Sequence, residues 1–491
     1  MLLSAEQGAT AAPEQAPEPA GRSRTPSMGI VFAVLVTFFG WMAGLERLSN
    51  SSFLWHMVTG HWILDHGAVP HHDLFSYTAA GHPWVAQSWL AETTDAAIER
   101  YLGSPAIRLF DAAIGAGIAY LAYRLAVRKT RDHVTGVFLA LVAVVTSASQ
   151  WSERPLFLGI LAMLALVWVV EAPDSLLGRK PLITIPVLMW LWLNVHGTFP
   201  FGYGYLVLHL AGRWAEGSPP WRGRERRLAQ GAGIAAVASL INPYGLDLLL
   251  FPIRLLGRDQ LLHNVTEWQS PDFRTTPGMA FGLWLLLLFG VLALAKRRPT
   301  IRDFILIVVF ALAGFWAQRN ITLATLVILP IMGSLVSRTE PRVDSRQRLN
   351  WAALAGVILV GTVWTAQVIG LPAYNFDGYP RAAFAAAEQQ APGKPLITTD
   401  LWAGYVIHQY WPRQRVFYDD RYDMYPTSLT ADYRKILFAA PGWQTILDRT
   451  GTDVVVWPTK NPLTRLIQAD PGWRQIHTDD WATVFVRNEQ R

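Results

Sequence analysis

Residues 53–92 read FLWHMVTGHWILDHGAVPHHDLFSYTAAGHPWVAQSWLAE, and the rest of the chain is best understood from this stretch. It lies between the first two strongly apolar runs. It carries six histidines (His56, His61, His66, His71, His72 and His82), three carboxylates (Asp65, Asp73 and Glu92) and four tryptophans (Trp55, Trp62, Trp84 and Trp89). Such a stretch does not cross a bilayer, because every polar group left unpaired in hydrocarbon is costly. It is also richer in aromatics than a plain linker needs. Loops on a rigid scaffold commonly carry the chemistry, so these residues read as the working loop of a larger frame.

That frame is apolar. Hydrophobic residues make up 52% of the 491 and charged ones only 16%, where an ordinary globular domain is about a quarter charged. Long apolar runs recur at about Met28–Leu45, Pro105–Val127, Val134–Gln150, Pro155–Val170, Leu182–Leu193, Phe199–Leu210, Leu228–Ile241, Met279–Ala295, Phe304–Trp316, Ile321–Val336 and Trp351–Leu371. Each approaches the length a bilayer asks of a helix. The fold class is therefore mainly α, a polytopic transmembrane bundle of about eleven helices. Residues 1–27, rich in Ala, Pro and Glu, cannot bury a core and read as a disordered cytoplasmic tail. The chain has no cysteine, which excludes disulfides, thiolate metal sites and a cysteine nucleophile.

The net charge of +6 is no nucleic-acid footprint, because its basic residues sit in short loops between spans, where they set orientation. With the N-terminus inside, the cytoplasmic loops hold Arg128, Lys129 and Arg131; Arg179 and Lys180; Arg213, Arg222, Arg224, Arg226 and Arg227; Lys296, Arg297, Arg298 and Arg302; and Arg338, Arg342, Arg346 and Arg348. The short outer loops hold Arg154, Arg254, Arg258, Arg274 and Arg319. This bias places the 46–104 loop outside, in a bacterial-type inner membrane. The polar knots then share that face: residues 53–92, Ser152–Pro155, Asn194–Gly197, Asn242–Gly245, Glu267-Trp268 and Gln318–Asn320. Polar groups at membrane depth tend to mark function, so one extracytoplasmic cavity is expected.

Residues 372–491 change in texture. LITT (396–399), RVFY (415–418), DVVVW (453–457) and ATVFV (482–486) read as strands. Tyr379–Gln390, Thr427–Phe438 and Trp443–Arg449 read as helices. A small extracytoplasmic α/β domain is predicted.

Several stretches resemble the GT-C superfamily of polytopic glycosyltransferases: LWHMVTGHWILDHGAVPHHDLFSYT with WVAQSWLAE, SERPLF (152–157), NVHGTFPFG (194–202), INPYG (241–245), EWQSPDF (267–273), QRN (318–320) and GYVIHQYWP…VFYDDRYDMY (404–425). The resemblance covers nearly everything past residue 28. It implies a GT-C-like bundle that moves a sugar from a polyprenyl-phosphate carrier to a glycan, lipid or protein hydroxyl. A carboxylate of the first outer loop would take the hydroxyl proton, and positive charge would meet the leaving phosphate.

The chain departs from the family where an acidic residue usually precedes the Trp-His pair, for it reads Ser49-Asn50-Ser51-Ser52-Phe53-Leu54-Trp55-His56. Asp73 is the first candidate base and Glu46 the second. Asp73 could equally cap the following turn. Arg154, Arg319 and His196 are candidates for the donor phosphate, a task that suits a planar guanidinium. For Arg154 the plainer reading is a flanking ion pair at a helix start, and for Arg319 snorkelling from a helix end. His56, His61, His72, Trp84, Glu92, Asn194, Asn242, Tyr244 and Glu267 are candidates to line the substrate cavity. Asn242-Pro243-Tyr244-Gly245 is also a turn signature, and Asn194 with His196 could satisfy backbone at a hairpin tip. The histidines with Asp73 and Glu92 could hold a divalent cation, although they match no known ligand spacing. Asp419-Asp420-Arg421 and Asp423 could bind a cation, but the plainer reading is a solvated charged turn. Other functions remain open: a lipid-linked glycan ligase working through Arg and His, a non-catalytic scaffold, or a transporter. Against the last, the halves do not pair as inverted repeats.

Overall fold

The computed structural model describes residues 25–258, 265–340 and 344–488. The segment expected to be disordered, 1–27, lies outside these except for its last three residues, of which Ser27 caps the first helix through Ile30 N.

A helix stands in each of the eleven predicted spans. These are α1 (Met28–Gly44), α4 (Ser104–Thr130), α5 (His133–Ala148), α6 (Leu156–Glu171), α7 (Pro181–Val195), α8 (Phe199–Ala215), α9 (Gly223–Ala238), α11 (Thr276–Leu294), α12 (Ile301–Trp316), α13 (Ile321–Leu335) and α14 (Leu349–Ile369). Of these, α4, α11 and α14 are both long and apolar enough to cross a membrane by length and composition. Helix α13 is buried along almost its whole length and forms the axle of the bundle. Helix α14 buries only Asn350 and Gly361 and turns a bare apolar surface outward. Helices α1 and α4 cross closely because two glycines meet, Gly40 against the Gly115 carbonyl, the small-residue packing that membrane helices favour.

The first outer loop is not irregular throughout, as its polarity suggested. It folds as two helices, α2 (Ser51–His66) and α3 (Trp89–Leu102), joined by an extended turn. Asn50 caps α2 by accepting from Ser52 N and Phe53 N, and Gly67 closes it in the left-handed region at φ 63°. Helix α10 (Leu246–Leu256) lies between α9 and α11.

Residues 372–488 form a four-stranded mixed sheet of order β1-β2-β4-β3, from β1 (Leu396–Ile397), β2 (Val454–Pro458), β3 (Trp473–Thr478) and β4 (Ala482–Arg487). β1 runs parallel to β2, and β2, β4 and β3 pair antiparallel. Around the sheet lie α15 (Arg381–Gln390), α16 (Asp400–Tyr410), α17 (Thr427–Leu437), α18 (Trp443–Arg449) and α19 (Pro462–Gln468). Three of the four predicted strands and all three predicted helices are present. RVFY (415–418) is the exception. Val416 makes isolated bridges to Leu396 and to Ser76 instead, so this segment stitches the sheet to the outer loop.

That stitching is extensive. Val416 N donates to Phe75 O at 3.0 Å, and Tyr77 N donates to Val416 O at 3.1 Å. At its centre sits Arg421, 1% exposed, whose Nη2 lies 2.7 Å from Asp73 Oδ1 of the outer loop and 2.6 Å from Asp419 Oδ2. Its guanidinium faces the rings of Phe75 and Trp84 at 4.7 and 4.6 Å. The Asp419–Asp423 segment was expected to be a solvated turn, and the structure corrects this: Asp419 and Arg421 are fully buried. Helix α16 presses on α2 at Gly404, where an added Cβ would overlap the Ser51 carbonyl oxygen.

Two stability outcomes follow from this docking. Asp73→Ala leaves Arg421 buried with half its neutralising charge, and should cost about 3–5 kcal/mol, read as a lowered unfolding midpoint in detergent. Gly404→Ala should cost about 1–3 kcal/mol through overpacking. Gly378→Ala, where an added Cβ meets nothing within 4 Å, should leave the midpoint unchanged.

Candidate active site

Between α2, the 84–92 segment, the outer ends of the bundle and the Asp420–Asp423 segment lies a cavity of about 510 Å³. This is the size of a small-molecule site. Its walls carry His56, Trp84, Glu92, Arg154, His196, Glu267 and Arg319. Residues from five of the six polar knots thus line one space; Asn242–Gly245 is not among its walls. The cavity also carries Asp400, Asp420, Arg421 and Asp423 from the C-terminal part.

One wall is cationic. Arg154 Nη2 lies 2.5 Å from Glu267 Oε1, while Arg154 Nε donates to Ser152 Oγ at 2.9 Å. Arg319, in the short turn Gln318–Asn320 between α12 and α13, lies over the Trp268 ring at 4.5 Å. Among the described residues no carboxylate is within ion-pair distance of Arg319. His196 is buried at the end of α7. Burial, and then the charges of Arg319, Arg154 and His56, hold it well below the usual histidine range, so the ring is neutral. The Thr198 amide donates to its Nδ1 at 3.2 Å. The proton therefore sits on Nε2, which is left as a donor. The Arg154 and Arg319 charges hold the Glu267 carboxyl below its ordinary range despite burial.

The opposite wall is acidic. Asp420 accepts from Ser52 Oγ at 2.6 Å and from Trp55 Nε1 at 2.5 Å. Its carboxyl is pushed up to about 7 by burial and the neighbouring Asp419, against those two donors. Asp423 is raised to about 6, chiefly by burial. His56 Nδ1 and Glu92 Oε1 are 2.6 Å apart, and Glu92 Oε2 is buried without a partner among the described residues. Arg421 Nη1 is likewise buried and unpartnered there.

At His196 and Arg319 the cavity opens into a second, apolar recess of about 280 Å³. Phe201, Leu208, Leu255, Val309, Phe310 and Trp316, from α8, α10 and α12, line it. A third recess of about 380 Å³ adjoins at Trp84 and Asp423 and holds His71, His72, His82 and Tyr244.

Other residues expected at the site lie elsewhere. Asp73 does not line the cavity; its oxygens accept from Phe75 N, Ser76 N and Ser76 Oγ and face Arg421. Glu46 is an exposed residue past the end of α1, also off the cavity lining. His61 pairs with Glu99 at 2.8 Å on the far side of α2. Asn194 is fully buried and ties α3 to α7, accepting from Trp89 Nε1 at 2.8 Å and donating to Trp190 O at 2.8 Å. Asn242 closes its own turn through Ser239 O, Gly245 O and Tyr244 N. The Tyr244 hydroxyl bridges Pro70 O and Ala86 N, which braces the outer loop. Among the described residues no three His, Asp or Glu side chains converge as a metal site.

No family model matches the sequence, and no curated protein matches it. Solved structures do. The apo oligosaccharyltransferase of Archaeoglobus fulgidus aligns over 88% of this chain and 70% of its own, with TM-score 0.52 and 10% identity. AglB from the same organism, in complex with an inhibitory peptide and a dolichol-phosphate, aligns over 94% and 74%, with TM-score 0.51 and 10% identity. ArnT from Cupriavidus metallidurans, bound to undecaprenyl phosphate, aligns over 93% and 97% at 12% identity, with TM-score 0.48. The likeness to the two archaeal oligosaccharyltransferase structures is one of fold.

Proposed function

We propose that the chain is a membrane glycosyltransferase that moves a sugar from a polyprenyl-phosphate carrier to an acceptor hydroxyl on the non-cytoplasmic face. One observation carries this reading: a polar cavity and an apolar groove meet at Arg319 and the neutral His196, with Arg154 beside them on the cavity side. A molecule that fits both spaces has a long hydrocarbon tail, an anionic junction and a polar head. A sugar linked through phosphate to a polyprenol is such a molecule. The dolichol-phosphate in the archaeal neighbour suits this reading.

The chemistry fits the same wall. As the bond between sugar C1 and phosphate oxygen breaks, negative charge grows on the departing phosphate. Donors already in place stabilise that charge without reorganising. Arg319 has no carboxylate within ion-pair distance among the described residues, and His196 lines the same wall. Arg154 is shared with Glu267, which therefore competes with phosphate. Arg421 Nη1, lacking a partner, is left for a hydroxyl of the sugar or its acceptor. Asp73, away from the lining, is assigned to hold Arg421 rather than to take a proton.

The topology belongs to the proposal as well: eleven crossings, a cytoplasmic N-terminus, and residues 372–491 as an extracytoplasmic domain seated on the first outer loop. A lipid-linked glycan ligase would use the same cavity. The His56–Glu92 pair on its wall is the observation that favours that second reading.

Binding of undecaprenyl phosphate to the full chain in nanodiscs tests the carrier site. A charge-assisted contact is worth about 1.5–3 kcal/mol, so Arg319→Ala should weaken binding by about 10- to 100-fold. Glu267→Gln, which frees Arg154, should tighten it several-fold. Equal affinity in all three proteins would remove the phosphate from this wall. The absence of native cysteine makes orientation simple to read. A cysteine at Lys460 should react with an impermeant maleimide in sealed cells, and one at Arg298 should not; the reverse pattern would overturn the topology.

A further inference from the structure

We propose that Asp420, carried by the C-terminal part of the chain, is the catalytic base that takes the proton of the acceptor hydroxyl. The proposal rests on the transferase reading above. Among the described residues five carboxylates line the cavity: Glu92, Glu267, Asp400, Asp420 and Asp423. Glu267 is engaged by Arg154, and Glu92 by His56. Asp400 accepts from the hydroxyls of both Tyr422 and Tyr433. Asp423 has no side-chain donor to hold it among the contacts described. Asp420 alone is both aimed and open. Ser52 Oγ fixes one oxygen and Trp55 Nε1 the other, and each oxygen keeps a lone pair.

Its position matters as much as its geometry. Ser52 and Trp55 belong to the first turn and a half of α2, where the outer loop itself has no acidic residue from Ser49 to His56. The carboxylate arrives instead from 368 residues away in the chain. Arg421, beside it, is fixed by Asp73 and Asp419, and Gly404 lets α16 seat against Ser51. The docking described above thus has a chemical purpose: it sets a base opposite a phosphate wall.

The step balances within the site. The acceptor O–H proton passes to an Asp420 oxygen as the acceptor oxygen bonds sugar C1. The bond from C1 to the phosphate oxygen breaks, and its electron pair leaves with the carrier phosphate. The product is neutral at Asp420, which then releases its proton to water. Charged and titratable groups near Asp420 are His56 on α2, Asp419, Arg421, Tyr422 and Asp423 on its own segment, Asp400 on α16, and Tyr379, which interacts in turn with Glu153. Burial among several acids puts its carboxyl near 7, where a base is both mostly ionised at mildly alkaline pH and strong enough to work.

The test uses full-length wild type, Asp420→Asn, Asp420→Glu and Asp423→Asn in nanodiscs. Three readouts are taken: undecaprenyl phosphate binding, release of undecaprenyl phosphate from a panel of undecaprenyl-phosphate-linked hexoses, and infrared titration of carboxyl groups. Asp420→Asn should bind the carrier within about twofold of wild type yet lose at least about 100-fold in turnover, the usual contribution of a general base. Asp420→Glu should recover part of that loss. Wild-type turnover should fall as pH drops through about 7, and the infrared titration should lose one carboxyl near that pH in Asp420→Asn only. Full turnover in Asp420→Asn, or loss in Asp423→Asn alone, would overturn the assignment. So would a titration that Asp420→Asn leaves unchanged, whatever donor the enzyme prefers. A wild type that does not bind undecaprenyl phosphate would instead defeat the carrier reading on which the assignment rests.

Discussion

A guanidinium shut away from water is a liability unless its charge is met on the spot. Arg421 is such a group, and the arrangement that meets it organises the outer half of the molecule. Asp419 comes from the same turn and would neutralise it wherever that turn went. Asp73 comes from the first outer loop, so the second carboxylate is available only when the two parts of the chain are together. The aromatic walls of Phe75 and Trp84 exclude solvent and supply ring faces to the cation. The pair is therefore less a source of net stability than a registration device. It fixes where Asp420 and Asp423 stand relative to α2, because both are within two residues of Arg421.

The cavity shows the same logic at larger scale. Bundle helices end in short polar turns at one level: His196 after α7, the Gln318–Asn320 turn after α12, and Arg154 before α6. None of these turns could recognise a ligand alone. Their side chains become a site because α13, buried throughout, holds the surrounding helices in fixed register. The neutral state of His196 is a consequence of that crowding. Burial, and then the two arginines close by, make a further positive charge unfavourable, and the hydrogen bond from Thr198 then decides which nitrogen keeps the proton.

Much of this was legible in the sequence, and the reasons are local. Long apolar runs leave few alternatives to a helix, so a helix stands in each of them, and three of these helices are long and apolar enough to cross a membrane by length and composition. Loop arginines gave the shared face, and with it His56, Trp84, Glu92, Arg154, His196, Glu267 and Arg319. Helix α2 was missed because its histidines and tryptophans obscure the apolar stripe, although Asn50 before it and Gly67 after it were usable cap signals. Asn242 closes its own turn, as its turn signature allowed, whereas Asn194 and Tyr244 meet Trp89 and the Pro70 and Ala86 backbone, partners that only the fold brings near. The 419–423 turn was misread for a different reason. An acid-rich string looks solvated unless its partners are known, and Asp73 is 348 residues earlier (421 − 73).

That distance also explains why the two halves of the candidate chemistry separate so cleanly along the chain. Phosphate recognition is built from helix ends, which a bundle supplies in quantity and holds rigidly. A base needs finer placement, with oxygens fixed to within a fraction of an ångström and a dry surrounding to raise its basicity. The irregular start of α2 offers hydroxyl and indole donors at this point but no carboxylate. Supplying the acid from the C-terminal part of the chain leaves the loop free to present those donors. It also couples the acid's presence to the docking of that domain, so the cavity has both its walls only when the Arg421 junction has formed.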